Sequence, residues 1–346
     1  MIWDRPIGVA GAGSIGCFVG GMLADAGARV ALLARPRVIR EIRDHGLKLT
    51  SFEGFERDVA PSRLTLSEDA RVLADSSVVL VTVKSADTAE IADVIARHTT
   101  SDAIVISLQN GVGNTSVLRE RLPGWRVLAG MVPFNVVAPG AGRFHRATSG
   151  DIVIEQDDAG TAERLSVPGL RMRASADIAG VQWGKLLLNL NNALNALADL
   201  PLRQQLAQRD WRRLFADQIT EGLVALKAEG IRPVSPTPIP MNWLPHLLRL
   251  PDPVFAMLLG RTMKIDPEAR SSMWEDLQRG RRTEIDYLQG VIVEIAERRR
   301  LSVPLSRRIV ALIKSAEAAG QGSSKDSSKG SPKLTPDQVR SDFIKH

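Results

Sequence analysis

Residues 8–16 read Gly-Val-Ala-Gly-Ala-Gly-Ser-Ile-Gly and decide the fold of the first half of the chain. They overlap the short apolar run Ile7–Ala10 and lead into a segment with helical spacing. Gly11, Gly13 and Gly16 match the pattern GxGxxG, which in a strand–turn–helix setting allows a tight turn, close approach of a pyrophosphate and close helix–strand packing. The stretch therefore predicts a dinucleotide site whose phosphates rest on a helix N-terminus. The candidate cofactor ligands of this turn are Gly11, Ala12, Gly13, Ser14, Ile15 and Gly16.

Strand-like and helix-like segments alternate through the rest of the first half. The continuous apolar runs at 29–34, 77–83 and 103–108 are typical of parallel strands buried on both faces. Residues 127–137 and 151–155 predict further strands that complete the sheet. We therefore predict an α/β protein that begins with a Rossmann-type, doubly wound parallel sheet over residues 1–174.

Beyond about residue 175 helical spacing takes over and strand-like runs disappear. We predict an all-helical domain over residues 175–319, followed by a polar, low-complexity tail over residues 320–346. A long connection at 231–252 is rich in proline, which interrupts regular helices. The predicted helices cover 181–200, 211–229, 271–278, 283–299 and 305–319.

The composition excludes several classes of protein. Of 346 residues, 44% are hydrophobic, which is enough for two packed cores, and the single cysteine, Cys17, excludes an intrachain disulfide and a cysteine-rich zinc site. The five histidines lack metal-ligand spacing, so no metal is expected. A net charge of +6 with only 4% aromatic residues offers little for stacking nucleic-acid bases. With neither a signal peptide nor a membrane-length apolar run, we expect a soluble cytoplasmic protein without nucleic-acid or membrane partners.

The end of the second strand indicates which dinucleotide binds. That position holds Arg35, with Arg37 close behind, and no Asp or Glu is present to bind a ribose 2′-hydroxyl. A guanidinium suits a 2′-phosphate instead, so we predict NADP(H), the alternative being a solvent-exposed arginine. Loops after the next two strands, at 83–85 and 108–113, should face the same cofactor and contain Lys84 and Asn110.

Polar residues concentrate on the first predicted helix of the second half. Lys185, Asn189 and Asn192 fall at i, i+4 and i+7 and therefore share one face, which suits a small substrate bearing an oxyanion. The alternative is a hydrated helix face. Further along the chain, Ser272 and Glu284 would lie ~18 Å apart on one straight helix. We therefore expect a break near residues 280–282, with Ser271 or Thr283 available as helix caps.

Six motifs, in this order, resemble the ketopantoate reductase family and span about residues 5–315. They are GAGSIG at 11–16, VKS at 83–85, QNGVG at 109–113, WGKLLLN at 183–189, SSMWED at 271–276 and RRTEID at 281–286. The resemblance implies reduction of the 2-keto group of ketopantoate to pantoate by NADPH, on the route to pantothenate and coenzyme A. It implies Lys185 as the catalytic lysine and Glu284 as its acidic partner. It also implies Asn110, Asn189 and Ser272 as substrate ligands, and Lys84 and Asn110 as cofactor-proximal residues.

The residues support this chemistry independently. Hydride transfer to a keto carbon builds negative charge on the carbonyl oxygen, which a lysine ammonium can stabilise and protonate. Ala193 departs from the family, which often carries a further substrate asparagine at that position, and Asn192 is retained as a nearby candidate. A paralogue acting on another 2-keto acid or an imine, and a non-catalytic NADPH sensor, stay open. Retention of the lysine argues against a sensor, and a homodimer is also left open.

Overall fold

The computed structural model describes residues 4–259, 268–322 and 331–341. Within it the chain divides into two compact units, one ending at Ala179 and the other beginning at Gly180. The most polar part of the predicted tail, at 323–330, lies outside the described residues. Among those that are described, no helix combines the length and apolar character needed to cross a membrane.

The N-terminal unit contains two sheets and five α-helices. Its strands are β1 (Ile7–Ala10), β2 (Val30–Leu33), β3 (Leu47–Ser51), β4 (Glu56–Val59), β5 (Leu64–Ser67), β6 (Val78–Val81), β7 (Ile104–Ser107), β8 (Arg126–Met131), β9 (Val136–Gly140), β10 (Arg143–Arg146), β11 (Ile152–Glu155) and β12 (Met172–Ser175). Its helices are α1 (Ser14–Asp25), α2 (Pro36–His45), α3 (Thr88–His98), α4 (Asn114–Arg121) and α5 (Thr161–Leu165).

The larger sheet has eight strands in the order β12-β11-β8-β7-β6-β1-β2-β5. The six neighbouring strands β8, β7, β6, β1, β2 and β5 are parallel, which confirms the predicted doubly wound sheet. The last two strands reverse direction, because β11 pairs antiparallel with β8 and β12 runs parallel to β11. β1 pairs with β2 on one side and β6 on the other. The loops after β1 and β6 therefore flank a topological switch point, where such sheets bind ligands.

The second sheet, in the order β4-β3-β10-β9, was not predicted from the sequence. The prediction of one strand over 127–137 is wrong, since β8 and β9 belong to different sheets. Pro133 lies between them, and a proline cannot donate a hydrogen bond to a strand ladder. Phe18 of α1 packs against Phe134, with ring centroids 5.7 Å apart, and against Phe55 at 6.2 Å. These contacts join α1 to the segments that carry the small sheet.

The second unit is helical, as predicted. Its helices are α6 (Ile178–Asn189), α7 (Asn191–Ala198), α8 (Leu202–Ala207), α9 (Arg209–Ala228), α10 (Leu244–Leu248), α11 (Asp252–Leu259), α12 (Ser272–Gln278), α13 (Gln289–Arg299), α14 (Pro304–Gly322) and α15 (Pro336–Arg340). The single helix predicted over 181–200 is interrupted at Leu190. The helix predicted to start at Thr283 starts at Gln289, after a 3₁₀ turn at Ile285–Tyr287.

Arg212 is fully buried and binds together four helices of this unit. Its guanidinium donates to carbonyl oxygens at the ends of α8 and α10, contacts a carboxylate of α11 and stacks on an aromatic ring. These partners are Leu206, Ala207, Leu248, Leu250, Asp252 and Phe255. The C-terminal segment 331–341 packs on the same helical unit. Leu334 N donates to Leu197 O of α7 at 2.8 Å, and Val339 is fully buried.

Candidate active site

The three glycines of the turn after β1 have distinct structural settings. Gly11 has φ +102°, and a Cβ there would lie 2.8 Å from the backbone nitrogen of Val83. A Cβ on Gly16 would lie 2.7 Å from the carbonyl oxygen of Gly11. Around Gly13, in contrast, the nearest atom to a built Cβ is 4.0 Å away. Gly11 and Gly16 are therefore required by packing, whereas Gly13 leaves open space against the backbone.

That open space adjoins the N-terminus of α1. Gly13 is the N-cap residue, and no side chain caps the helix. The backbone N–H groups of Ser14, Ile15 and Gly16 belong to the first turn, where an α-helix provides no carbonyl partners. Thr82 holds the turn from the neighbouring strand end, its hydroxyl donating to Gly11 O at 2.6 Å. Unused donors and the positive end of the helix dipole beside a glycine without a Cβ fit the pyrophosphate of a dinucleotide.

The two arginines after β2 differ in their surroundings. Ala12 N donates to Leu33 O at 3.0 Å, so the end of β2 adjoins the glycine turn. Arg35 is exposed two residues further on, and no hydrogen bond or ion pair of its side chain is found among the described residues. Arg37 instead forms an ion pair with Glu41 at 3.0 Å. Arg35 is therefore the better placed of the two for a 2′-phosphate.

The loops after β6 and β7 are joined by hydrogen bonds. Ser85 Oγ donates to Asn110 O at 3.0 Å, and Asn114 Nδ2 donates to the same carbonyl at 2.8 Å. Thr88 Oγ1 donates to Asn114 Oδ1 and accepts from Gln109 Nε2. Both loops follow central parallel strands, as the sequence indicated. Lys84 is half-buried and Asn110 is exposed, and both lie in loops that these hydrogen bonds link.

Helix α6 carries Lys185 and Asn189 one turn apart. Lys185 is half-buried, and burial lowers the pKa of its ammonium group from 10.5 to about 8. Asn189 is only 7% exposed, yet no hydrogen bond of its side-chain amide is found among the described residues. A side-chain amide that makes no internal hydrogen bond keeps its donors and acceptor available to a ligand. The pair therefore offers a proton-exchanging amine beside an unused amide.

The other asparagines of this region serve the fold. Asn195 is fully buried, donates to Leu200 O at 2.8 Å and accepts from Ser271 N at 2.8 Å. Asn191 exchanges hydrogen bonds with Gln205. Asn192 stands in the first turn of α7, beyond the interruption at Leu190, and its carbonyl accepts from Ser271 Oγ. The asparagine-rich sequence therefore combines two structural residues with the candidates Asn189 and Asn192.

The motif SSMWED at 271–276 builds the start of α12. Ser271 caps the helix, since its Oγ accepts from Trp274 N at 3.1 Å. Trp274 Nε1 donates to Asp199 Oδ1 at 2.6 Å, and Arg270 stacks on the indole ring while contacting the same carboxylate. Ser272, the candidate substrate ligand, is exposed at the first helical position. The rest of the motif thus places one serine hydroxyl.

The predicted break between Ser272 and Glu284 is confirmed. Helix α12 ends at Gln278, and Gly280 follows with φ +60°. Thr283 N then donates to Glu317 of α14, and Thr283 Oγ1 accepts from Ile285 N. Glu284 is half-buried immediately before the 3₁₀ turn. Its role as the partner of Lys185 stays a prediction.

Two structural residues of the site were missed by sequence reasoning. Thr82 anchors the glycine turn, and Asp199, with φ +53°, receives Trp274 and Arg270. Thr82 follows β6 directly, so its place at a strand end was a usable signal. Asp199 gave no signal, because its partners lie more than 70 residues away.

Fold and site together define a dinucleotide-binding protein with a separate helical unit, and comparison with known proteins specifies the class. The family model described as ketopantoate reductase PanE/ApbA matches residues 7–158, and that of the same family's C-terminal region matches residues 177–317. The 2-dehydropantoate 2-reductase of Halobacterium salinarum is 31% identical, with 90% of this chain and 99% of that one covered. That of Pyrococcus horikoshii is 29% identical, covering 91% and 98%.

Solved structures agree with these matches. A ketopantoate reductase of the same family from Ralstonia eutropha has 31% identity and a TM-score of 0.77, covering 91% of this chain and 99% of its own. A D-mandelate dehydrogenase bound to NADH and anilino(oxo)acetate has a TM-score of 0.75 over similar shares, at 20% identity, and supports the fold alone. The chain belongs to the ketopantoate reductase family.

Proposed function

We propose that this protein reduces the 2-keto group of ketopantoate with NADPH and forms pantoate, in pantothenate and coenzyme A biosynthesis. The observation that carries the proposal is the pair on α6, Lys185 with a lowered pKa and Asn189, whose side-chain amide makes no hydrogen bond among the described residues. Curated relatives covering nine-tenths of the chain are named 2-dehydropantoate 2-reductase.

The cofactor is assigned to the carboxyl edge of the larger sheet. The glycine turn and first turn of α1, from Gly11 to Gly16, bind the pyrophosphate through backbone N–H groups. Arg35 binds the 2′-phosphate by charge-assisted hydrogen bonds, which favours NADPH over NADH. Lys84 and Asn110 complete the cofactor-facing residues. The bound nicotinamide supplies the hydride for the keto carbon.

Lys185 is the proposed general acid. As the carbonyl carbon is reduced, negative charge grows on the carbonyl oxygen, and the Lys185 ammonium stabilises this charge and donates its proton from Nζ. A pKa of about 8 suits this task near neutral pH, because the group is mostly protonated and still yields its proton readily. Glu284 is proposed to orient Lys185 and favour its charged form.

The remaining candidates bind the substrate. Amide N–H groups of Asn110, Asn189 and Asn192 and the hydroxyl of Ser272 can donate to the substrate carboxylate. The amide oxygens and the serine hydroxyl can also accept from the distal hydroxyl. Unlike Asn191 and Asn195, Asn189 is not committed to an internal side-chain hydrogen bond. Substrate selection therefore falls first on Asn189.

A second candidate function, reduction of a different 2-keto acid, is favoured by Ala193. Its methyl group is fully buried in α7, where it offers no hydrogen bond to a substrate hydroxyl. One polar contact fewer than the family pattern implies would relax selection for the hydroxyl of ketopantoate.

The test is NADPH oxidation measured with a panel of 2-keto acids that includes ketopantoate and its analogue lacking the hydroxymethyl group, 2-ketoisovalerate. We expect the highest kcat/KM for ketopantoate. Equal or higher kcat/KM for 2-ketoisovalerate would support the second candidate. NADPH binding without turnover of any 2-keto acid or imine would contradict both and support a sensor.

We further propose that the protein acts in the cytoplasm as a homodimer, without nucleic-acid or membrane partners. Exposed large apolar side chains in the helical unit, including Trp243 at 61% and Met257 at 71%, would suit a subunit interface. Light scattering coupled to size-exclusion chromatography tests the assembly: a monomer at micromolar concentration contradicts it. Cell fractionation tests the location.

A further inference from the structure

A short segment after α9 lies directly on the helix that carries Lys185. This segment, residues 231–236, is called the strap. Val234 N donates to the carbonyl oxygen of Gly180 in α6 at 2.8 Å, although α6 is a helix and its carbonyls have partners of their own. Val234 O lies against Gly184, one residue before Lys185. The strap therefore contacts α6 through backbone atoms on both sides of one helical turn.

This contact depends on the absence of a side chain at Gly184. A Cβ built there would overlap Val234 O, would come within 2.7 Å of Val234 C, and would reach Pro236 Cδ at 3.4 Å. Ordinary carbon contacts begin near ~3.5 Å, so the strap would have to move on the order of 1 Å to admit a methyl group. Gly184 has a negative φ within a regular helix, so packing, rather than backbone conformation, is what requires glycine.

The strap is held firmly at its other points. Gly230, just after the end of α9, has φ +72°, and Ile231 N donates to Leu226 O at 2.9 Å. Pro233 and Pro236 restrict the backbone between and after the contacts, because a proline ring fixes φ. A stiff segment pinned to α9 at one end and to α6 at the other fixes the distance and rotation between these helices.

We propose that the strap is a positioning element for Lys185, with Gly184 and Val234 as the positioning residues that set where the lysine side chain leaves α6. The inference rests on the proposed function, because it assigns Lys185 the acid role. Residues adjacent in a helix move together, so a shift at Gly184 displaces Nζ relative to the substrate carbonyl. The low pKa of Lys185 agrees with a covered helix face.

The central experiment is Gly184→Ala in the full-length protein. Alanine favours helix more than glycine does, so α6 itself gains stability and any loss comes from the strap. A displacement of about 1 Å can cost ~10²-fold in rate. We expect kcat with ketopantoate to fall about 10²-fold, while KM for NADPH changes less than twofold because the phosphate-binding turn is untouched.

Gly222→Ala is the matched control. Gly222 is also a helical glycine packed against α6, but its added Cβ would overlap Cδ2 of Leu187, the end of a flexible side chain. It should lower Tm while kcat stays within threefold of wild type. Equal loss of kcat in both variants would overturn the proposal, because general loosening of α6 would then explain it.

Two measurements do not depend on turnover. Hydrogen exchange should show the Val234 amide protected in the wild type and at least tenfold less protected in Gly184→Ala. Competitive acetylation read by mass spectrometry titrates Lys185, and its midpoint should move from about 8 toward 10.5 in the variant. If the wild type reduces no 2-keto acid, the proposed function is wrong, but the role of the strap is still tested by these two measurements. An unchanged midpoint, or unchanged protection of Val234, overturns the strap's role.

Val234→Pro provides the test if Gly184→Ala does not fold. It removes the N–H that binds Gly180 and leaves both glycines in place. Loss of one backbone hydrogen bond corresponds to roughly two- to tenfold, which is the expected fall in kcat. A kcat equal to that of wild type, together with an unchanged Lys185 midpoint, would overturn the proposal.

Discussion

In the N-terminal unit, most of the candidate ligand-binding groups belong to the backbone, whereas in the helical unit the candidates belong to side chains. The turn at 11–16 presents N–H groups whose direction follows from the chain path, and Gly11 and Gly16 are fixed by contacts closer than 3 Å. On α6 and α12, the candidate groups are the side chains of Lys185, Asn189 and Ser272. Backbone sites tolerate side-chain change except at glycine, while side-chain sites fail at single substitutions.

The largest expected effect on kcat comes from the candidate side chains of the helical unit. Lys185→Ala should lower kcat by about 10²–10⁴-fold, because general acid catalysis contributes about that much. KM for NADPH should change little. Glu284→Ala should also lower kcat, and the double variant should lose less than the product of the singles if the two act as a unit. Steady-state kinetics would contradict this if Lys185→Ala kept near-normal kcat, and Lys84 would become the alternative donor.

Arg35 is the exception in the N-terminal unit, because there the candidate cofactor ligand is a side chain and not a backbone N–H group. Arg35→Ala should raise KM for NADPH roughly 10–100-fold and leave KM for NADH nearly unchanged, because a charge-assisted hydrogen bond contributes about 1.5–3 kcal/mol. Arg37→Ala is the control, since that arginine is paired with Glu41. Equal losses with both cofactors would exclude a contact to the 2′-phosphate.

A substitution at Gly13 tests whether the backbone of the glycine turn binds the cofactor. Its Cβ would have room in the protein, so Gly13→Ala should keep Tm within about 2 °C while the methyl group obstructs the phosphates. We expect KM for NADPH to rise about tenfold or more, equivalent to ~1.4 kcal/mol. Gly16→Ala should instead lower Tm, because its Cβ meets Gly11 O at 2.7 Å. Unchanged NADPH affinity in Gly13→Ala would place the cofactor elsewhere.

Asn189 and Asn195 separate ligand binding from folding within one helical region. Asn189→Ala should raise KM for the keto acid about tenfold, because it removes a hydrogen bond to the substrate that contributes ~1–1.5 kcal/mol. Tm should be nearly unchanged. Asn195→Ala should destabilise the fold by about 1–3 kcal/mol, because it leaves Ser271 N unpaired. Thermal unfolding and kinetics on both variants distinguish the two roles, and a reversed pattern would refute them.

The smallest expected change is the fall in kcat between pH 7 and pH 8. Reduction needs the protonated form of Lys185, whose pKa is lowered to about 8, so the acid form is lost as pH rises through that value. Between pH 7 and pH 8, kcat for reduction should fall about twofold, then about tenfold per further pH unit, while oxidation of pantoate should rise over the same interval. A reduction rate flat up to pH 10 would exclude Lys185 as the acid.

Sequence reasoning located the central strands and the glycine turn because their signals are local. The apolar runs of β1, β2, β6 and β7 and the glycine pattern lie within short windows, and strand-end loops follow from parallel topology. The second sheet was missed because strands such as Glu56–Val59 and Arg143–Arg146 are short and largely polar. Asn195 and Asp199 could not be assigned, since their partners at 270–274 lie over 70 residues away.

The buried guanidinium of Arg212 has a consequence for how the helical unit opens. It links residues 206, 207, 248, 250 and 252, which belong to the three short helices α8, α10 and α11 and to the connection between the last two. Without the arginine, the carbonyl oxygens of residues 206, 207, 248 and 250 and the carboxylate of Asp252 all lose this donor. Residues 202–259 should therefore unfold together, as one cooperative block with a shared free energy of opening, and helices of five to eight residues gain the lifetime of a much larger element.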